Sequence, residues 1–341
     1  MNAITHARET RSSLILHLLP TIAALGYPWY LSWFASEVAI GNTVVAAFAM
    51  LVVFGIPATA FASFTALSCA QDRSRRSHIV RLASLATIAT PSLYVLLGVV
   101  LYMMKINDAD KYVWSAGWTM LLTTVALGYS IPESSEMLRT GKRDASRIRV
   151  LHGVSAALLL VVFLMPHLVN HSLGIFGNDL HKAMQHVIRY VYLNKWVQPG
   201  IVGLMLFQVL SGLFLVSEKM ERKQDFFVSL QIASGSFLLA FIPCHMNSVF
   251  TLARHFGTET DYVWATNQPV GLIRDAWSTR LIPHYSVGVI FLLCHAICGV
   301  RTVMLAHNVD VARANRICGG LIALAFTFSL VIIVGMVGVR V

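Results

Sequence analysis

The composition of this 341-residue chain is that of a membrane protein. Apolar residues make up 56% of it and charged residues only 12%, with a mean hydropathy of +0.67, which lies outside the range of soluble domains. The formal net charge of +10 at pH 7 does not indicate nucleic-acid binding, because short loops between apolar helices cannot build a folded basic face. Neither a GxGxxG nor a P-loop motif occurs, so the sequence predicts no nucleotide-binding domain.

Nine apolar windows, each long enough to cross about 30 Å of hydrocarbon, predict about nine transmembrane helices. They lie at 13–34, 43–69, 79–104, 112–131, 151–174, 197–216, 227–252, 284–306 and 318–339. Residues 1–12 are interpreted as a polar tail, since no short apolar segment with a cleavage site precedes the first window. The predicted fold class is therefore an all-α integral membrane protein.

The distribution of Lys and Arg predicts the orientation of these helices. With the N-terminus inside, seventeen of the 26 basic residues fall on the interior side and nine on the exterior side, in agreement with the positive-inside rule. We therefore expect a cytoplasmic N-terminus and an exterior C-terminus, in what is interpreted as a bacterial inner membrane.

The longest interior basic loop, at 132–150, divides the chain into two predicted parts. Residues 1–140 form an N-terminal membrane region of four helices that are almost free of histidine. Residues 141–341 form a region of five helices which, with its loops, contains ten of the thirteen histidines. Function is therefore expected to reside after residue 150.

Residues 178–196 predict an amphipathic helix in the exterior interface. Its apolar residues recur at helical spacing from Leu180 to Val191, and its basic and amide residues lie away from them. Three histidines of this surface are expected to be exposed to solvent or, alternatively, to form a cap over a cofactor: His181, His186 and His255.

Two histidines lie inside apolar helices, His167 in LLLVVFLMPHLVNHSLG and His245 in FLLAFIPCHMNSVF. An ionisable residue in hydrocarbon is costly and marks a functional site. Both helices run outward and place their imidazoles at a similar depth, as two axial ligands of one haem b iron require. His171, one turn after His167, is the competing ligand, and hydrogen-bonded packing is the alternative role.

Small and polar residues complete the predicted site. Gly235 provides room for a macrocycle below His245. His295 lies mid-helix in the pattern His-x-x-x-Gly, and Gln208 takes the place of the histidine in the same pattern on an earlier helix. Because glutamine is a poor haem ligand, a second haem there is disfavoured against a quinone pocket or a structural histidine. His152, at the interior end of its helix, is either a proton or quinone contact or a polar helix end.

The order of these motifs resembles one known family. PHLVN, FQVLSG, LQIASGSFLLAFIPCH and CHAICG follow His152 in the order found in the five-helix cytochrome b anchor of succinate dehydrogenases and fumarate reductases, the type with two haems. The resemblance covers residues 150–341 only. It implies that His167 and His245 bind the distal haem and that His295 is a proximal ligand whose partner is replaced by Gln208. The resemblance therefore leads us to expect one haem.

The resemblance implies a haem b-containing electron-transfer subunit that links the quinone pool to a partner redox protein and does not itself carry the dehydrogenase site. Membrane lipids, quinone and soluble redox subunits are the expected partners, nucleic acid is not, and the small-residue helix faces allow a homodimer. Two other functions are considered. One is a haem- or quinone-binding sensor or assembly module without turnover, and the other is a transporter with broken helices.

Overall fold

The structure, a computed structural model, describes residues 14–70, 72, 74–131, 145–221 and 224–341. Every regular element in these residues is helical, and no strand occurs among them. Several of the helices are long and apolar enough to cross a membrane. The predicted fold class, an all-α membrane protein, is confirmed.

Five helices precede residue 132. Their bounds are α1 Leu14–Ala39, α2 Thr43–Cys69, α3 Arg75–Ile88, α4 Thr90–Met103 and α5 Asp110–Ser130. The pair α3–α4 is bent by 59°. Pro91 lies in the first turn of α4, and because a proline has no backbone N–H to continue the hydrogen bonds of α3, it explains the bend.

Seven helices follow residue 144. The long ones are α6 Ser146–Phe176, α8 Val197–Met220, α9 Phe226–His255, α11 Ser278–Ala306 and α12 Val311–Met336. The others are α7, Asn178–Tyr192, and the short α10, Tyr262–Ala265. α7 occupies most of the segment predicted as an amphipathic helix.

Seven helices of the described residues satisfy the length and hydropathy expected of a membrane span, and the bent pair α3–α4 makes eight if it crosses as one span. α5 is 21 residues long but is not among them; it contains five Ser and Thr residues, which lower its hydropathy. In the part of each of the nine predicted windows that the structure describes, most residues are helical. The number of crossings and the sidedness of the termini stay predictions.

The chain forms two compact units. Unit 1 contains the described residues before 132 together with Met220–Phe237, and unit 2 contains residues 145–219 and Leu238–Val341. α9 thus contributes its first half to unit 1 and its second half to unit 2, a division that was not predicted. The predicted boundary between residues 140 and 141 lies outside the described residues.

The core of unit 1 is aromatic. Trp114 and Trp118 of α5 stack with their ring centroids 4.7 Å apart, and both are 5% exposed. Trp114 Nε1 donates to the carbonyl of Ala24 at 2.9 Å, which lacks its usual i+4 donor because residue 28 is a proline. This bond connects α5 to α1 within unit 1.

Candidate functional site

Unit 2 brings four histidines into one cluster, which we call the histidine cluster: His167 and His171 of α6, His181 of α7 and His245 of α9. The ring centroids of His167 and His245 are 6.0 Å apart, those of His167 and His171 are 4.6 Å apart, and those of His171 and His181 are 5.5 Å apart. The structure therefore brings together the two predicted ligands and the predicted competitor, and it adds His181.

The pair His167–His245 has the spacing expected of two axial ligands. Two imidazoles on opposite sides of one iron, each bonded at about 2 Å, have ring centroids about 6 Å apart. The observed separation is 6.0 Å, with an angle of 71° between the ring planes. The donor chemistry and the spacing both fit a haem iron, and the His171 ring lies nearly perpendicular to that of His167, at an interplanar angle of 88°.

Irregular helical turns occur beside both members of the pair. The turn Leu160–Leu164 of α6 is π-helical, and Pro166 follows it immediately before His167. In α9, Pro243 precedes His245 by two residues, and the π-helical turn Ser248–His255 follows. Such turns are frequent at functional sites. Sequence reasoning missed them, although the two prolines mark where regular helical hydrogen bonding is interrupted.

An aromatic ring holds His167 in place. Phe163 stacks on it with centroids 5.2 Å apart and planes 16° from parallel. Tyr192, the last residue of α7, donates its hydroxyl to the Phe163 carbonyl at 3.0 Å. A tyrosine hydroxyl is protonated at physiological pH and can donate, and burial raises the pKa of Tyr192 further, to about 12. α7 thus supports the ring orientation of His167.

A second aromatic ring connects His245 to α11. Phe241 lies nearly parallel to His245, with centroids 5.7 Å apart, and it also packs against His284, with centroids 4.7 Å apart. Gly288 makes this packing possible, because a Cβ there would overlap the Phe241 ring. His284 is 2% exposed, since it packs against Phe241 inside the unit.

His181 differs from its prediction as a wet surface residue. It is 1% exposed because α7 packs against α6, where Asn170 Nδ2 lies 3.2 Å from His181 Nε2. Tyr262 of α10 covers the imidazole at a centroid distance of 4.4 Å. Burial lowers the pKa of His181 to about 4, although Asp261 acts in the opposite direction and Arg189 adds to the decrease. His181 is therefore neutral at physiological pH.

The bond between Asn170 and His181 leaves two polar atoms unmatched. Asn170 Oδ1 and His181 Nδ1 are buried without a hydrogen-bond partner among the described residues, as is His171 Nδ1. If the amide nitrogen donates to Nε2, the unmatched atoms are an acceptor oxygen and a donor Nδ1–H. If the amide is turned round, the roles are exchanged. In both cases the pair offers one donor and one acceptor to a hydroxyl, a carbonyl or a water molecule.

A second cluster surrounds His152 near the start of α6. Ser211 Oγ of α8 lies 2.8 Å from His152 Nδ1, which leaves Nε2 as the nitrogen available for another interaction. Gln208 Nε2 donates to the His152 carbonyl at 3.0 Å and to Ser155 Oγ at 2.6 Å. The His152 ring lies beside the His295 ring, with centroids 6.3 Å apart and planes at 78°. Gln208 instead connects α8 to α6 through its hydrogen bonds.

The remaining predicted residue, Gly235, lies on α9 ten residues before His245, in the half of the helix that belongs to unit 1. Among the described residues, no group of three or more His, Cys, Asp or Glu side chains is arranged to hold a metal ion. An axial haem site needs only two nitrogens, which is the number that each facing imidazole pair provides.

The fold and the two imidazole pairs define a helical membrane protein of several spans with a histidine-rich second unit. Comparison with known proteins finds no match to a family model, to a curated protein or to a solved structure. The resemblance to the cytochrome b anchor therefore rests on the order of the motifs alone.

Proposed function

We propose that unit 2 is a haem b-binding electron-transfer module that links the quinone pool to a partner redox protein in a bacterial inner membrane. The observation that carries this proposal is the pair of facing imidazoles, His167 and His245, with centroids 6.0 Å apart. A bound haem supplies a one-electron centre whose potential depends on its axial ligands, burial and neighbouring hydrogen bonds.

The residues around the pair have distinct roles in this proposal. Phe163 and Phe241 orient the two imidazoles by stacking and exclude water from them. The unmatched donor and acceptor of Asn170 and His181 are the contacts that a quinone oxygen needs. The neutral His181 imidazole can also exchange a hydrogen bond with a quinol hydroxyl.

The pair His152–His295 is a second candidate site. Its ring separation of 6.3 Å and interplanar angle of 78° closely repeat those of the first pair. The Ser211 hydroxyl at His152 Nδ1 is the kind of outer contact that fixes the tautomer and orientation of a ligand histidine. We extend the proposal to a second haem at this pair. In it, His152 is the second ligand beside His295, in place of the histidine that the resemblance expects at position 208.

Haem quantitation tests both sites on the purified full-length protein. Reduced-minus-oxidised spectra of the wild type should show a b-type α band, and haem extraction should give two haems per chain. His167→Ala and His245→Ala should each remove the first haem, and His295→Ala the second. The exposed His186 provides the control His186→Ala, which should keep both.

A wild-type protein without haem would contradict the proposal. If the wild type and His295→Ala each contain one haem per chain, the proposal is limited to the pair His167–His245. The link to quinone predicts that a short-chain quinol reduces the haem and that Asn170→Leu slows this reduction without changing the haem count. Copurified flavin and iron–sulfur subunits would distinguish an anchor from a sensor that binds the same cofactor without turnover.

A further inference from the structure

Unit 1 contains a buried arginine, Arg81 of α3, that is 7% exposed. Its Nη1 donates to the carbonyl of Met220, the last residue of α8, at 3.2 Å. Its Nε is buried without a hydrogen-bond partner in the described part of the chain. Neither of the two ion pairs found among the described residues, Arg149–Glu218 and Lys182–Glu259, includes Arg81. A buried guanidinium that has an unpaired N–H and no ion pair is stabilised by an anion beside it.

Two buried hydroxyl groups lie close to the level of Arg81 in the α2–α3 hairpin. Ser77 precedes Arg81 by one turn on the same face of α3, and it is 0% exposed. Ser68 lies near the end of α2 and is 3% exposed. Leu67, the residue before Ser68, and Val80, the residue before Arg81, belong to one hydrophobic cluster, so Ser68 lies near the part of α3 that contains Ser77 and Arg81. Neither hydroxyl has a partner among the described residues.

The start of α3 adds positive charge to the same hairpin. Arg75 and Arg76 occupy the first turn, which contains no acidic residue. Basic residues are unfavourable there, because the N-terminal end of a helix already carries a partial positive charge. Asp72, the carboxylate of the turn, accepts hydrogen bonds from the backbone N–H and the hydroxyl of Ser74 at 2.8 and 3.0 Å. The hairpin therefore presents positive charge and hydrogen-bond donors.

We propose that the α2–α3 hairpin binds a phosphate group, held by Arg81 Nε–H and by the hydroxyls of Ser68 and Ser77. Phosphate oxygens accept hydrogen bonds from all three donors and add negative charge to that of Asp72, which already acts on Arg81 electrostatically. An anionic phospholipid or a soluble phosphate can provide this group. In the predicted orientation the hairpin faces the cytoplasm, where anionic head groups are found. The proposal concerns unit 1 and is independent of the haem proposal.

Lipid-dependent thermal unfolding of the full-length protein in detergent tests the site. Phosphatidylglycerol should raise the Tm of the wild type, and phosphatidylcholine, whose head group carries no net charge, should raise it less. Arg81→Gln should lower the apparent affinity for phosphatidylglycerol about tenfold. Arg313→Gln is the matched control, because Arg313 is an exposed basic residue in the first turn of another helix, α12, and it should respond as the wild type does.

The double variant Ser68→Ala/Ser77→Ala keeps the arginine and removes only the two hydroxyls, so it provides the test if Arg81→Gln does not fold. It should also lose most of the phosphatidylglycerol shift. Inorganic phosphate added alone distinguishes the sources: a full shift supports a soluble phosphate at the site, and no shift supports the lipid. An equal phosphatidylglycerol response in the wild type, Arg81→Gln and the double variant would overturn the proposal.

Discussion

At the scale of single residues, His181 shows how burial changes the chemistry of a side chain. The imidazole lies under Tyr262 and against Asn170, and desolvation lowers its pKa to about 4. Protonation would place a charge beside one amide and two neighbouring rings, and the attraction of Asp261 does not compensate for the lost solvation. The cost of that charge makes His181 a neutral hydrogen-bonding group, which suits a contact to an uncharged quinone.

The depressed pKa of His181 predicts a pH dependence of stability. Between pH 6.5 and 4 the unfolded chain binds a proton that the folded chain does not, so the free energy of unfolding should fall as the pH falls through this window. His181→Gln keeps a partner for Asn170 without titrating. The slope of unfolding free energy against pH should differ between the wild type and this variant by up to about 1.4 kcal/mol per pH unit, as measured by denaturant titration in mild detergent.

Equal slopes in the two proteins would show that His181 does not titrate in this way. Above pH 7 the two slopes should coincide, because His181 is neutral in the folded and the unfolded chain alike. This range serves as the internal control.

At the scale of helices, the contact between α9 and α11 decides where His245 points. Phe241 fills the space beside Gly288 and stacks on His245, so the backbone of α11 positions a side chain of α9. The helix itself does not require a glycine at position 288. The glycine is needed there because the Phe241 ring occupies the space that a Cβ would fill.

Gly288→Ala should therefore destabilise the protein by about 1–3 kcal/mol, the usual range for overpacking, and lower its haem content by displacing Phe241 and His245. Gly203→Ala on α8 is the control, because no atom lies within 4 Å of the added Cβ. There the substitution should be neutral or gain about 0.5–1 kcal/mol of helix propensity. Thermal unfolding and haem extraction measure both effects, and an equal response of the two variants would exclude the packing role of Gly288.

At the scale of the whole molecule, the two units divide the chemistry. Unit 1 contains the aromatic core and the hairpin with Arg81, whereas unit 2 contains both imidazole pairs. The break of α3–α4 lies in unit 1 and is explained by Pro91. Because Pro91 accounts for this bend, the broken helix is not by itself an indication of a transporter.

The number of crossings determines where the C-terminus lies. Nine spans, as the windows and the charge bias predict, place the two termini on opposite sides, whereas eight place them on the same side. An alkaline phosphatase fusion after Val341 should be active outside the cytoplasm, and a fluorescent-protein fusion there should be dark if export is by the general secretory route. An inactive phosphatase fusion with a fluorescent counterpart would place the C-terminus inside and contradict nine spans.

The sequence by itself determined the all-α membrane class and the presence of histidines within the spans, because apolar windows of sufficient length have few other folded solutions in a membrane. It also predicted that His167 and His245 form a pair, since their depth follows from position along a helix.

Only the tertiary structure decided which side chains meet. His152 lies beside His295, and Gln208 forms a hydrogen bond that connects α8 to α6. His181 is buried under Tyr262 of α10. These outcomes depend on how each helix is rotated about its axis and on how an amphipathic helix folds back against its neighbours. Hydropathy along a single chain sets the depth of a residue but does not specify that rotation, because several faces of an apolar helix are nearly equivalent in hydrophobicity.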